Sequence, residues 1–204
     1  MRDKPQAGSS GGWWIRLGAL LMLAAALLVG KNLHEQSAAA GRSRELLEQA
    51  ERQMATAARQ DPEGGESTPD SDPASLWDGY DIAGILSLPD LGLELPVLAD
   101  YSDDLLKVSI CVFDETGTPE DGSLILAGHN YRAYFGRLSQ LSVGAEVRYR
   151  PTAGEEILYH VAELTEIDAD DGDALMEGSW DLTLVTCNLD MSKRILARCT
   201  RSEP

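Results

Sequence analysis

The sequence predicts a mainly β domain, a barrel or sandwich of short strands, carried behind an N-terminal apolar helix and a polar connection. Three observations carry this. Runs rich in β-forming residues recur between residues 83 and 200 with turn chemistry between them. A continuous apolar stretch, broken only by Arg16, occupies residues 13–30. Residues 61–75 are dense in Pro, Gly, Ser and acids and have no apolar period, the composition of a linker.

Taken in order, residues 1–12 are a polar N-terminus containing Arg2 and Lys4. The apolar run at 13–30 fits a membrane span, which needs roughly 17 to 25 residues, with Arg16 snorkelling and Trp13 and Trp14 at the interface. Arg2, Lys4 and Arg16 favour a cytoplasmic N-terminus, although Lys31, Arg42 and Arg44 blur the bias. A cleaved signal peptide, with Ala38, Ala39 and Ala40 as its small-residue site, is the competing reading; the apolar run is longer than the usual ~7–15 residue signal core, so an anchor is preferred. Residues 31–75 read as a stalk and linker. Within them 43–60 is rich in helix formers, and its thin stripe of Leu46, Leu47, Ala50, Met54 and Ala57 suggests a solvated helix.

The globular part spans 76–204. Its expected strands are 83–88, 93–97, 123–127, 146–150, 157–164, 180–186 and 194–200, with short helices at 102–106, 132–138 and 174–176. In 180–186 the alternation of Leu182 and Leu184 with Thr183 and Val185 suits a half-buried strand. Asp and Glu total 34 against 17 Lys and Arg, a formal charge of -17. Nucleic-acid binding needs a basic footprint and is excluded; the charge suits solubility at an exposed surface.

Chemistry concentrates at strand ends. Cys187 closes one expected strand and Arg194 opens the next, so a cation faces the thiol; nearby positive charge favours the thiolate, which is the nucleophilic form. His129 follows the apolar run 124–127 in Gly128-His129-Asn130, whereas His34 lies in the stalk and His160 inside a strand. Arg198 lies on the same strand face as Arg194 by period-2 alternation. The three cysteines form no Cys-x-x-Cys pair. Cys111 and Cys199 either pair with each other or pack in the interior, and packing is preferred because free cysteine is commonly buried.

These residues, in this order, resemble the sortases, the cysteine transpeptidases of Gram-positive cell surfaces. The resemblance runs from about Gly79 to Arg198 and includes residues 82–89, 93–97, 135–141 and 143–147 besides Thr186-Cys187 and Gly-His-Asn. It implies an eight-stranded sortase β-barrel with a few short helices. It also implies Cys187 as nucleophile, His129 as acid and base, Arg194 as donor to the substrate carbonyl, and Thr186 and Asn130 as substrate contacts. The implied substrate is the C-terminal sorting peptide of a surface protein, of the Leu-Pro-x-Thr-Gly type or a relative. The implied acceptor is an amine of peptidoglycan or of a pilin lysine. The implied place is the cell membrane, crossed once, with the catalytic domain outside.

No cofactor is required by this chemistry. Asp168, Asp170 and Asp173 cluster around Gly172 and are calcium candidates, since some sortases bind calcium at this loop. The twelfth place holds Ser179 rather than glutamate, so a solvated acidic loop is preferred. Asp72-Pro73 and Trp77 resemble the lid of pilus-building sortases, but three residues intervene between the dipeptide and the tryptophan. The subclass lies open between class B-like and class D/E-like. The turn from Cys187 to Arg194 is shorter than the family's loops. The alternatives are a hydrolytic thiol peptidase and a non-catalytic, membrane-anchored peptide-binding barrel.

Overall fold

A computed structural model describes residues 11–57, 76–77, 79–113, 118, 122–152 and 155–202. The linker at 61–75 and Asp72-Pro73 lie outside them. The chain divides into two compact units, residues 1–37 and 38–204.

The strands are β1 (Leu76–Trp77), β2 (Tyr80–Leu88), β3 (Leu93–Leu98), β4 (Ile110–Val112), β5 (Leu124–Ala127), β6 (Glu146–Pro151), β7 (Ile157–Asp168), β8 (Leu182–Cys187) and β9 (Lys193–Arg201). Their order is β1-β2-β3-β4-β5-β8-β9-β7-β6, and β6 pairs back onto β2. That pairing closes eight strands, β2 to β9, into a barrel, with β1 appended outside. Closure removes the free sheet edges that an open sheet would expose. Where β2 meets β6 the backbones come close: a Cβ on Gly84 would stand 2.5 Å from the Arg150 carbonyl oxygen, so glycine is required there. Two pairings are parallel, β3 with β4 and β5 with β8; the others are antiparallel.

Alternation along the strands builds two apolar layers. Leu86, Val97, Leu126, Val147, Tyr149 and Leu184 fill the barrel interior. The opposite parity, including Ile85, Leu98, Cys111, Ile125, Val185 and Leu196, forms a second layer on the outside of one wall. It is covered by the 3-10 turn Leu105–Lys107, by α2 (Gly172–Met176), and by the second half of α1 (Gly11–Ala57). β5 and the first five residues of β8 are therefore buried on both faces, which corrects the half-buried reading of β8.

α1 is longer than expected and differs in environment. Its residues Ala39, Ser43, Leu46 and Ala50 are buried at helical spacing within the second unit, rather than solvated. The fully buried Tyr134 hydroxyl lies within hydrogen-bonding distance of the carbonyls of Ala39, Lys107 and Val108, tying this helix to the connection after β3. Earlier in α1 the apolar side chains are exposed, Trp13, Trp14, Leu20 and Leu23 among them. This is the one helix among the described residues long and apolar enough to cross a membrane.

The expected strands all form. β4 and β1 were not expected, and β7 runs four residues past its expected end. Of the short helices, α2 forms; residues 102–106 and 132–138 become turns followed by 3-10 segments at Leu105–Lys107 and Leu138–Gln140.

Candidate active site

Register brings the three candidate catalytic residues together. In the antiparallel pair β8–β9, Cys187 and Arg194 are direct Cα partners. In the parallel pair β5–β8, Ala127 is opposite Val185, and Gly128 N–H donates to the Val185 carbonyl at 3.0 Å. Continuing that register by two residues sets His129 beside Cys187. By parity, Cys187 follows Val185, His129 follows Ala127, and Arg194 precedes Leu196, all three of them members of the outer layer. Cysteine and arginine thus occupy adjacent strands at one end of the barrel and on one face, and histidine lies two residues past the end of the next strand. Each is partly exposed.

Local structure fixes each one. A Cβ on Gly128 would stand 2.8 Å from both the Phe135 ring and Ile110 Cγ2, so glycine lets the chain tuck beneath Phe135 before His129 emerges. Phe135 N–H then donates to the His129 carbonyl. Cys187 leads into a turn built by its own polar side chains. Asn188 Oδ1 accepts from Lys193 N–H, and Asp190 Oδ1 accepts from the backbone and hydroxyl of Ser192. Met191 adopts a left-handed φ of 60°, a conformation that costs a residue with a Cβ and that the surrounding bonds enforce. The turn is short, as the sequence implied, and it is braced.

Asn130 and Thr186 are placed differently from the trio. The Asn130 amide donates to the Asn188 carbonyl at 3.0 Å, linking the histidine loop to the cysteine turn. Thr186 has the opposite parity to Cys187 and is buried, and its Oγ1 has no hydrogen-bond partner among the described residues. Arg194 Nε donates to the Ala169 carbonyl at 2.8 Å, leaving the terminal nitrogens for other acceptors. Asp168, Asp170 and Asp173 are exposed, and no group of three metal-ligating side chains converges among the described residues. All three cysteines are free; Cys111 and Cys199 are fully buried in opposite layers, so they pack rather than pair.

Electrostatics set the site apart from its surroundings. Burial lowers the His129 pKa below the usual 6.5; the Asp103 carboxylate opposes this and Lys107 adds to it. Burial raises the Tyr101 phenol above its ordinary range; the Arg194 charge counteracts it, and the Asp103 carboxylate adds to the rise. Tyr101 packs edge-on against Phe113, with ring centroids 5.1 Å apart. Tyr101, Asp103 and Lys107 all come from the connection between β3 and β4 and went unread in the sequence. The sequence offers residues 102–106 only as a short helix, with no chemistry attached. By contrast the buried Cys111 and Cys199 thiols are pushed up to about 12, which keeps them protonated and inert.

Residues 86–202 match the family model described as the sortase domain. Sortase A of Bacillus anthracis is 30% identical over 118 residues, covering 56% of this chain and 55% of that protein, so the chain spans about half the length of this relative. Sortase C-3 of Streptococcus pneumoniae superimposes with a TM-score of 0.57 at 23% identity, over 81% of this chain and 84% of its own. A sortase D5 transpeptidase of Clostridium perfringens gives 0.57 at 17%, over 80% and 97%. Sortase A of Corynebacterium diphtheriae gives 0.56 at 19%, over 79% and 84%. Barrel, register and family model agree, and the chain belongs to the sortase family, with structural neighbours drawn from several of its classes.

Proposed function

We propose that this protein is a membrane-tethered cysteine transpeptidase. It cuts the C-terminal sorting peptide of a surface protein, of the Leu-Pro-x-Thr-Gly type or a relative, and transfers the acyl group to an amine of peptidoglycan or of a pilin-type subunit. The observation that carries this is the cross-strand pair of Cys187 and Arg194, with His129 two residues past the end of the neighbouring parallel strand β5.

The Cys187 proton passes to His129, and the thiolate attacks the scissile carbonyl carbon. Arg194 donates hydrogen bonds from its terminal nitrogens to the developing oxyanion. The C–N bond breaks as imidazolium returns its proton to the leaving amine, and a thioester remains on Cys187. An incoming amine attacks that thioester and gives a proton to His129. The new amide forms and Cys187 leaves as thiolate. Residues 13–30 would cross the membrane with the N-terminus inside, placing the barrel where sorting peptides are exposed.

The test is incubation with a labelled sorting peptide, with and without an amine nucleophile such as triglycine. Ligated product with the amine is the expected result. Hydrolysis alone, undiverted by added amine, would reassign the chain as a thiol peptidase. Peptide binding with no turnover would make it a binding barrel.

A further inference from the structure

We propose that Arg198 is a positioning residue, a buried strut that holds the acidic loop between β7 and β8 in place beside the active site. Arg198 shares its strand face with Arg194 but is only 9% exposed. On β9 it stands opposite Thr183 on one side and Glu163 on the other. Its Nη2 donates to the Ala174 carbonyl at 2.7 Å, inside α2. Its guanidinium lies over the Trp180 ring, 5.6 Å from the centroid, and Nη1 is 3.7 Å from the Glu163 carboxylate. One side chain therefore touches the helix within the loop, the aromatic residue at the loop's end, and the strand before the loop.

The loop needs such a strut. α2 has five residues, far below the ~12–15 at which an isolated helix becomes even marginal in water. The Asp171 side chain caps it by accepting from Ala174 N–H, and Leu175 is its one buried side chain. Arg194 Nε secures the loop's first residue at Ala169, and the backbone of Ala169 donates to Ser192 in the turn after Cys187. Arg198 secures the middle. Loop displacement would consequently reach Arg194 and the turn that follows Cys187.

Stability alone is a poor account of Arg198. A buried guanidinium is costly, its carboxylate partner is long and partly exposed, and its Nε has no hydrogen-bond partner among the described residues. An apolar side chain of similar length would fill the space at lower cost. What the apolar chain cannot do is bond Ala174 and stack on Trp180 while reaching Glu163. The role of the loop as a wall of the peptide groove rests on the transpeptidase reading; the strut itself rests on geometry.

The test compares Arg198→Met and Arg198→Lys with the parent by hydrogen exchange and by peptide kinetics. For Arg198→Met, exchange in residues 169–181 is expected to accelerate at least tenfold while the other strands keep their protection. KM for the sorting peptide is expected to rise about fivefold or more, with kcat falling less. Alkylation of Cys187 by iodoacetamide should stay within about twofold. Arg198→Lys should recover part of both effects, because an ammonium can still donate to Ala174. Unchanged exchange and KM would overturn the proposal. So would loss of protection throughout the barrel, or slower Cys187 alkylation with KM unmoved. A parent protein that processes no sorting peptide would sink the transpeptidase reading, and exchange in 169–181 would still decide the role of Arg198.

Discussion

His129 shows how the site's chemistry depends on groups far away in sequence. Burial disfavours its charged form, and Asp103 and Lys107, from the connection after β3, push in opposite directions. Replacing Asp103 with Asn should therefore move the His129 midpoint lower, and Lys107→Gln should move it higher. Titration of the His129 ring by NMR, in a Cys187→Ala background, measures both; two unmoved midpoints would contradict this electrostatic picture. The same shift fixes a sign for stability. The unfolded imidazole takes up a proton near 6.5 and the folded one only at lower pH. Between those values protons favour the unfolded chain, so this contribution is intact above about 6.5 and is lost as pH falls through the folded value. His129→Gln should flatten that dependence in urea titrations across the window. The candidate trio stands out in the sequence because each member interrupts apolar strand chemistry at its boundary. Tyr101, Asp103 and Asn188 do not, because nothing local separates them from ordinary turn residues; only the fold brings them to the site.

At the scale of elements, the strands were readable and the covering pieces were not. Seven of nine strands announce themselves by β-formers between turn residues. β4 has three residues, Ile110–Val112, too few to show a period. The second half of α1 was read as solvated because its buried stripe uses small side chains, Ala39, Ser43 and Ala50, around a single Leu46. Small residues give a weak hydrophobic signal and at the same time let a helix lie close against a sheet. Leu46 joins the outer layer with Ile82, Ile85 and Val185, beside the strands that carry the trio. Leu46→Ala should accordingly destabilise the protein by about 2–5 kcal/mol, the range for truncating a buried leucine. Denaturant unfolding of residues 38–204 checks it; a loss below about 0.5 kcal/mol would mean that the helix covers nothing that matters.

Over the whole molecule, composition and fold divide the work. The chain carries a formal charge of -17, and one helix near its N-terminus is long and apolar enough to cross a membrane. Direct pairing of β8 with β5 on one side and β9 on the other gathers residues distant in sequence into one candidate site. The central claim is that Cys187 carries the acyl group there. Intact-protein mass spectrometry during turnover of a sorting peptide, followed by peptide mapping, tests it most directly. The expected result is a mass increase equal to the acyl fragment, located on Cys187, removed by an added amine and absent from Cys187→Ala. A Cys187→Ala protein that cleaves as well as the parent, or an adduct mapped to Cys111 or Cys199, would contradict it.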